Sequence, residues 1–114
     1  MTFEYQSKIE PIAAAIAHAA SDTDKGAFPS HALRALGDAG FLGMISSKDV
    51  GGQGLGMAAA VWVVQRIARE CTSTAMIMMM HYSATAVIEA HGPVEVRKDI
   101  AAGKHLSTLA FSEA

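Results

Sequence analysis

The chain has 114 residues, room for one domain with one core but too little for a complete multi-domain enzyme. Hydrophobic residues make up 51% and charged ones 18%, which excludes a disordered polar chain and leaves so little polar surface that some apolar surface is expected to face a partner. The net charge is −2 and the Lys and Arg residues are scattered, so nothing electrostatic points to nucleic acid or an anionic membrane.

Near the N-terminus, Ile12 to Ala17 is apolar and Ala17-His18-Ala19 looks like a signal-peptidase site. Glu4 and Glu10 spoil a basic leader and six apolar residues are too few, so no export signal is expected. The single cysteine, Cys71, excludes an internal disulfide and a thiol-rich metal site, and a reducing, cytoplasmic setting is expected.

Ile9, Ile12, Ala13, Ile16 and Ala20 share one helical face, predicting a first helix that ends near Ser21 to Lys25, with Pro11 tolerable only in its first turn. Pro29-Ser30 then starts a short helix carrying Leu33 and Leu36, which Gly40 can end in a left-handed conformation. Phe41 to Ile45 reads as an apolar connector. The run Gly51-Gly52-Gln53-Gly54-Leu55-Gly56 invites a phosphate-cradle reading, but Met57 stands where the dinucleotide fingerprint needs its third glycine, and the Gly-Lys-Ser/Thr of a nucleotide P-loop is absent. A structural turn leading into a helix is the preferred reading. That third helix is expected from about Met57 to Glu70, burying Met57, Val61, Val64 and Ile67 and pairing Arg66 with Glu70 across an exposed turn.

From Cys71 to Ile88 the chain runs eighteen residues without an acid or base, centred on Met76-Ile77-Met78-Met79-Met80. The length suits a membrane span, yet Thr72, Ser73, Thr74, His81, Tyr82, Ser83 and Thr85 would lie in lipid, so a fourth helix buried in protein, from about Ser73 to Ala90, is expected instead. Four methionines in five residues surround a helix, so core filling outweighs a pocket lining on geometry alone. Gly92 stops this helix and Pro93 starts a fifth that ends near Gly103. His105 to Phe111 is β-compatible and has no partner strand in the sequence. The fold class expected is all-α: an orthogonal or up-down bundle of about five helices in residues 1–104, followed by a short C-terminal strand, residues 105–114, that would begin a β domain.

Five histidines, His18, His31, His81, His91 and His105, include no pair three or four apart, so no helical metal site is expected. Ser73, His81 and Glu89 do not make a triad because no serine sits in a nucleophile elbow. His81 reads as a partly buried imidazole bonded to a neighbouring helix.

Taken in order, several segments resemble the N-terminal helical domain of the acyl-CoA dehydrogenase family, flavoenzymes that introduce an α,β double bond into acyl-CoA thioesters. Phe28-Pro29 and Leu36-Gly37-Asp38-Ala39-Gly40-Phe41-Leu42-Gly43 resemble its second helix and following turn. Asp49-Val50-Gly51-Gly52-Gln53-Gly54-Leu55 is similar to its Glu-x-Gly-Gly-x-Gly loop. Arg66 to Cys71 resembles the end of its third helix, and His81 to Gly92 its fourth helix and glycine stop. Leu109-Ala110-Phe111-Ser112-Glu113 resembles the hydrophobic-Ala-hydrophobic-Thr-Glu-Pro segment at the entry to the β domain, with Ala114 in place of the proline.

The resemblance, over about residues 5–114, implies FAD as cofactor, with Leu109, Phe111 and Ser112 as flavin contacts; serine keeps the hydroxyl of the family's threonine. It implies an acyl chain lying against the fourth helix at Ala75, Met76, Met79 and Ser83, which moves Met76 and Met79 from core to pocket wall and leaves Met78 and Met80 in the core. The α-proton is removed in this family by a carboxylate of the C-terminal domain, so no catalytic residue is expected here, and Glu70, Glu89, Glu95 and Glu113 read as surface or cap residues. An acyl-CoA substrate, an electron acceptor of unknown identity and a homo-oligomer are implied, with no membrane span and no metal. Two other readings stand beside this one: a flavin-dependent monooxygenase or nitroalkane-oxidase-like member of the same fold, and a stand-alone helical protein-interaction module.

Overall fold

A computed structural model describes residues 3–110, with side chains from Glu4 onward. Five helices follow in order: α1 Phe3–Asp24, α2 Ser30–Asp38, α3 Met57–Ala68, α4 Thr72–His91 and α5 Val94–Ala101, with a 3₁₀ turn at Lys48–Val50. The domain is all-α, and there is no strand among the described residues. Residues 104–110 run without regular structure rather than as the expected strand; a β-compatible sequence forms a strand only where a second strand takes up its backbone groups, and none lies within the described residues. Residues 111–114 of that expectation fall outside them.

α1 buries Ile9, Ala13 and Ile16, as its spacing predicts. Pro11 lies in the helix interior instead of the first turn. Both Pro11 and Ser7, whose carbonyl loses its amide partner to the proline ring, are exposed, so water can reach that carbonyl. Arg66 grips Glu10 with two bonds, Nε–Oε2 at 2.8 Å and Nη2–Oε1 at 2.9 Å, and Glu70 with Nη1–Oε1 at 3.1 Å, fastening α1 to α3 as well as bridging the expected helical turn.

α3 and α4 form the central hairpin. The chain turns within residues 69–71, and α4 is preceded by Cys71, whose sulfur accepts a bond from the Thr74 hydroxyl at 3.3 Å. Ala60, Val63 and Ile67 are the buried side of α3, whereas Met57 and Val61, expected inside, are 53% and 51% exposed. The reason is visible in the sequence of α3: Met57 to Val64 is apolar all round, so periodicity alone does not select a face, and the small Ala60 allows the closer approach of α4.

Between α2 and α3 the chain turns inward. Gly40, at φ +90°, ends α2 in the left-handed region as expected, and Phe41, Leu42 and Met44 enter the core. Gly43 lies so close to the end of α5 that a Cβ there would stand 2.7 Å from the Ala101 carbonyl oxygen. This buried connector has no helix or strand to receive its carbonyls. Two side chains of α4 receive the first two: Tyr82 Oη donates to Phe41 O at 2.7 Å and His81 Nε2 meets Leu42 O at 2.8 Å. The glycine-rich loop takes up others, with Gln53 N donating to Gly43 O, Leu55 N to Met44 O, Gly54 N to Ser46 O and Gly52 N to Ser47 O, all at 2.8–2.9 Å. Those four amides are therefore committed inside the fold, as a structural turn requires and a phosphate cradle forbids.

Removing the phenol oxygen of Tyr82 would strand the buried Phe41 carbonyl. Tyr82→Phe should destabilise the domain by about 1–2 kcal/mol in chemical denaturation, without altering its helical circular dichroism. A further expectation concerns pH. Burial, against the opposing bond to Leu42 and with help from His105, holds the His81 imidazole below its ordinary value of 6.5. The unfolded chain then binds the extra proton first, so this contribution to stability is complete above pH 6.5 and is lost as pH falls from there toward the folded-state value. Thermal unfolding should show Tm dropping in that window, and His81→Gln should flatten the drop.

Candidate functional site

α4 has a buried, uncharged inner side and an apolar outer side. Its inner side carries Thr74, Ala75, Met78, His81, Tyr82 and Thr85 into the core. Its outer side presents Met76, Met79 and Val87 at 54%, 41% and 50% exposure, with Ser83 half-buried among them. At 100° per residue, Met76, Met79, Met80, Ser83 and Val87 fall within an arc of about 100°, so they form one stripe along the helix. Ser83 Oγ donates to Met79 O at 2.9 Å, which turns its hydroxyl back on the helix and removes its polarity from the stripe.

Two concavities flank this stripe. On one side a cleft of about 310 Å³ is lined by Met76, Ile77 and Met80 of α4, by Phe28 ahead of α2, and by Leu106, Ser107 and Thr108 of the terminal segment. On the other, a groove of about 170 Å³ lies between the outward Met57, Val61 and Val64 of α3 and Met79, Tyr82 and Ser83 of α4. Of the residues expected to touch an acyl chain, Met76 is on the cleft and Met79 and Ser83 are on the groove. Ala75 lies on the core side of α4, 4% exposed. Met78 is fully buried, while Met80, expected in the core, borders the cleft. Leu109 is half-buried in the terminal segment; Phe111 and Ser112 lie outside the described residues.

Phe28, Leu106 and the α3 residues of the groove were not among the expected site residues. Met57 and Val61 had a signal, a second apolar stripe on α3 mistaken for its core face. Phe28 had none, because its place beside α4 depends on how the α1–α2 connection folds back.

His81 joins the inner side of α4 to the cleft. Its ring is fully buried and bonded to irregular segments rather than to the neighbouring helix expected. Leu42 O can only accept, so Nε2 carries the proton, and Nδ1 then accepts from the Ser107 amide at 3.1 Å. Ser107 is itself a lining residue of the cleft.

Reactive chemistry is sparse. Eight residues, about 12 Å of helix, separate Ser73 from His81 and His81 from Glu89, so these three do not meet. Glu70 is held by Arg66, and Glu89 by Arg97 Nη2 at 2.9 Å; neither is free to act as a base. Among the described residues no three His, Cys, Asp or Glu side chains gather as a metal site, and no helix is long and apolar enough to cross a membrane. Among the described residues, both concavities are lined mainly by apolar side chains.

Comparison with known proteins identifies relatives of the chain. A family model described as "Acyl-CoA dehydrogenase, N-terminal domain" matches residues 5–103. The "Acyl-CoA dehydrogenase, short-chain specific" of Clostridium acetobutylicum is 29% identical over 109 residues, 95% of this chain and 26% of that protein. The "Probable acyl-CoA dehydrogenase FadE25" of Mycobacterium tuberculosis and its counterpart in Mycobacterium leprae are each 31% identical over 100 residues, 84% of this chain and 26% of theirs. The chain thus spans about a quarter of the length of the curated relatives it matches. No solved structure matches it significantly. With most of its length covered by that one model, the chain belongs to the acyl-CoA dehydrogenase family and corresponds to its N-terminal domain.

Proposed function

We propose that this domain serves an FAD-dependent enzyme that oxidises acyl-CoA thioesters at the α,β bond, and that it contributes a wall of the acyl-chain site. The observation that carries this reading is the stripe of Met76, Met79 and Ser83 on the outer side of α4, bordered by apolar concavities on both flanks. A hydrocarbon chain laid along it gains about 0.8 kcal/mol for each methylene removed from water. Unbranched thioethers at Met76 and Met79 can adjust to chains of different length and shape. Ala75 would take part only through the edge of its backbone turn, since its methyl faces the core.

For the flavin, the fit rests on the terminal segment. Leu109 is half-buried three residues beyond the cleft-lining Leu106, so an apolar contact at one edge of a planar ring suits it. Phe111 and Ser112 are proposed as the next contacts, Ser112 through its hydroxyl. Bound FAD would supply the hydride acceptor. The residues of this chain hold the acyl chain, exclude water from it and border the flavin. The base that takes the α-proton is assigned to the rest of the protein, because the carboxylates described here are paired or exposed. The complete enzyme is proposed to be a cytoplasmic homo-oligomer that passes electrons to an acceptor this domain does not specify.

Produced within its full reading frame, the protein should purify with the visible absorbance of FAD and reduce an artificial dye when given acyl-CoA; a folded, colourless product without dye reduction would rule the reading out. In that protein, Met79→Trp should shorten the preferred acyl chain, lowering kcat/KM roughly fourfold for each methylene that loses its place. An unchanged chain-length profile removes Met79 from the wall.

A further inference from the structure

We infer that His81 is a positioning residue, whose imidazole clamps the Ser107 backbone to the Leu42 carbonyl and so sets both the rim of the cleft and the direction in which the chain leaves toward Leu109. The relevance of that clamp to flavin and acyl chain rests on the function proposed above; the clamp itself rests on the geometry alone.

The terminal segment, residues 104–110, has no regular structure to hold it, yet Leu106, Ser107 and Thr108 form one side of the cleft opposite Met76 and Met80. Something must fix its distance from α4. The Ser107 amide, 3.1 Å from His81 Nδ1, does so. The imidazole is suited to this place because one ring must donate to a carbonyl and accept from an amide at once: Nε2–H to Leu42 O at 2.8 Å, and Nδ1 from Ser107 N–H. Only the neutral ring in its Nε2–H tautomer does both. The Thr85 hydroxyl donates to the His81 carbonyl at 2.7 Å, and its oxygen lies 3.5 Å from Nε2, a contact secondary to the 2.8 Å bond to Leu42 O.

A second proton on the ring would set an N–H against the Ser107 N–H and eject the segment from the cleft. The titratable groups facing the ring are His105, on the segment itself, and Tyr82, whose ring centroid is 5.8 Å away on α4. Burial pushes the Tyr82 phenol far up, so it stays neutral. Residues 41–47, which receive Nε2–H, include no charged side chain, and among the described residues His81 forms no ion pair. Nothing nearby compensates a charged imidazole, and the segment that carries the flavin-facing residues is the first to be released.

The wild-type chain tests this without substitution. Nitrogen-15 spectra of the histidine rings should show His81 as the Nε2–H tautomer, and hydrogen exchange should find the Ser107 amide protected relative to the exposed Thr108. That protection should fall with pH in step with the His81 titration. An Nδ1–H tautomer, or a Ser107 amide that exchanges like Thr108 at neutral pH, overturns the inference. Among variants, His81→Leu should cost Ser107 about fivefold or more in protection, His81→Gln should restore part of it through its amide, and His105→Gln should leave it in place. Equal Ser107 protection in folded His81→Leu and wild type also overturns it. In the full-length protein, His81→Leu should weaken FAD retention and raise KM for acyl-CoA more than it lowers kcat, with partial rescue by His81→Gln. Should the full-length protein hold no flavin while Ser107 still responds to His81, the functional reading fails and the clamp stands.

Discussion

The carbonyl oxygens of residues 41–44 are the constraint on which the rest of this domain depends. The chain leaves α2 at Gly40 and passes through the core as irregular backbone, where an unpaired carbonyl costs about 1–3 kcal/mol. Each of the four is met: Phe41 by Tyr82, Leu42 by His81, Gly43 by the Gln53 amide and Met44 by the Leu55 amide. Tyr82 and His81 are consecutive in α4, so their side chains leave the helix about 100° apart. Reaching two adjacent carbonyls from those directions fixes how α4 is rotated about its own axis. With that rotation set, the arc holding Met76, Met79, Met80, Ser83 and Val87 lies directly opposite, on the outer side. The inner polar bonds thus decide which methionines a ligand could meet, and Ala75 falls inside because it lies on the core side of that arc.

A helix without charge on either its buried or its outer side is unusual in a small domain, and the charge-free run from Cys71 to Ile88 owes its character to this. Among the described residues no helix is long and apolar enough to cross a membrane, and the polar groups on the inner side, His81, Tyr82, Thr74 and Thr85, find their partners inside the protein. The outer stripe, by contrast, has no polar demand once Ser83 bonds back to Met79. The ion pairs contribute orientation more than stability. Arg97 reaches Glu89 at 2.9 Å and Asp49 at 3.5 Å, tying α5 to α4 and to the 3₁₀ turn, but pairs this close to solvent are individually weak.

Much of this architecture was legible in the sequence where local chemistry determines the outcome. The limits of α2 and α4 follow from Pro29-Ser30, Gly40 and Gly92, and the core side of α1 from the spacing of Ile9, Ala13 and Ile16. The family resemblance, carried by ordered motifs, agrees with the family model that matches residues 5–103. What was not legible depends on contacts distant in sequence. The buried face of α3 is set by Ala60 meeting α4, not by its periodicity. Pro11 sits mid-helix because its side of α1 faces water. The run from His105 has the composition of a strand, yet backbone pairing needs a neighbour that composition cannot supply. The cleft combines residues as far apart as Phe28 and Thr108, and no local pattern announces such a grouping.

The glycine-rich loop completes the argument, because it grips the same connector as α4 does. Its amides at Gly52, Gln53, Gly54 and Leu55 bond to carbonyls of residues 43–47, and α3 begins immediately after it, at Met57. The start of α3 is therefore referenced to the connector through the loop, and α4 is referenced to it through His81 and Tyr82. Met57 and Val61 on one helix, and Met79 and Ser83 on the other, form the two walls of the groove. Their spacing is consequently fixed twice, by direct packing of α3 on α4 and by the shared connector beneath them. A change confined to the loop, far from either wall in sequence, acts on the groove by moving α3 relative to α4, and the Met-rich stripe keeps its shape only while residues 41–47 remain in the core.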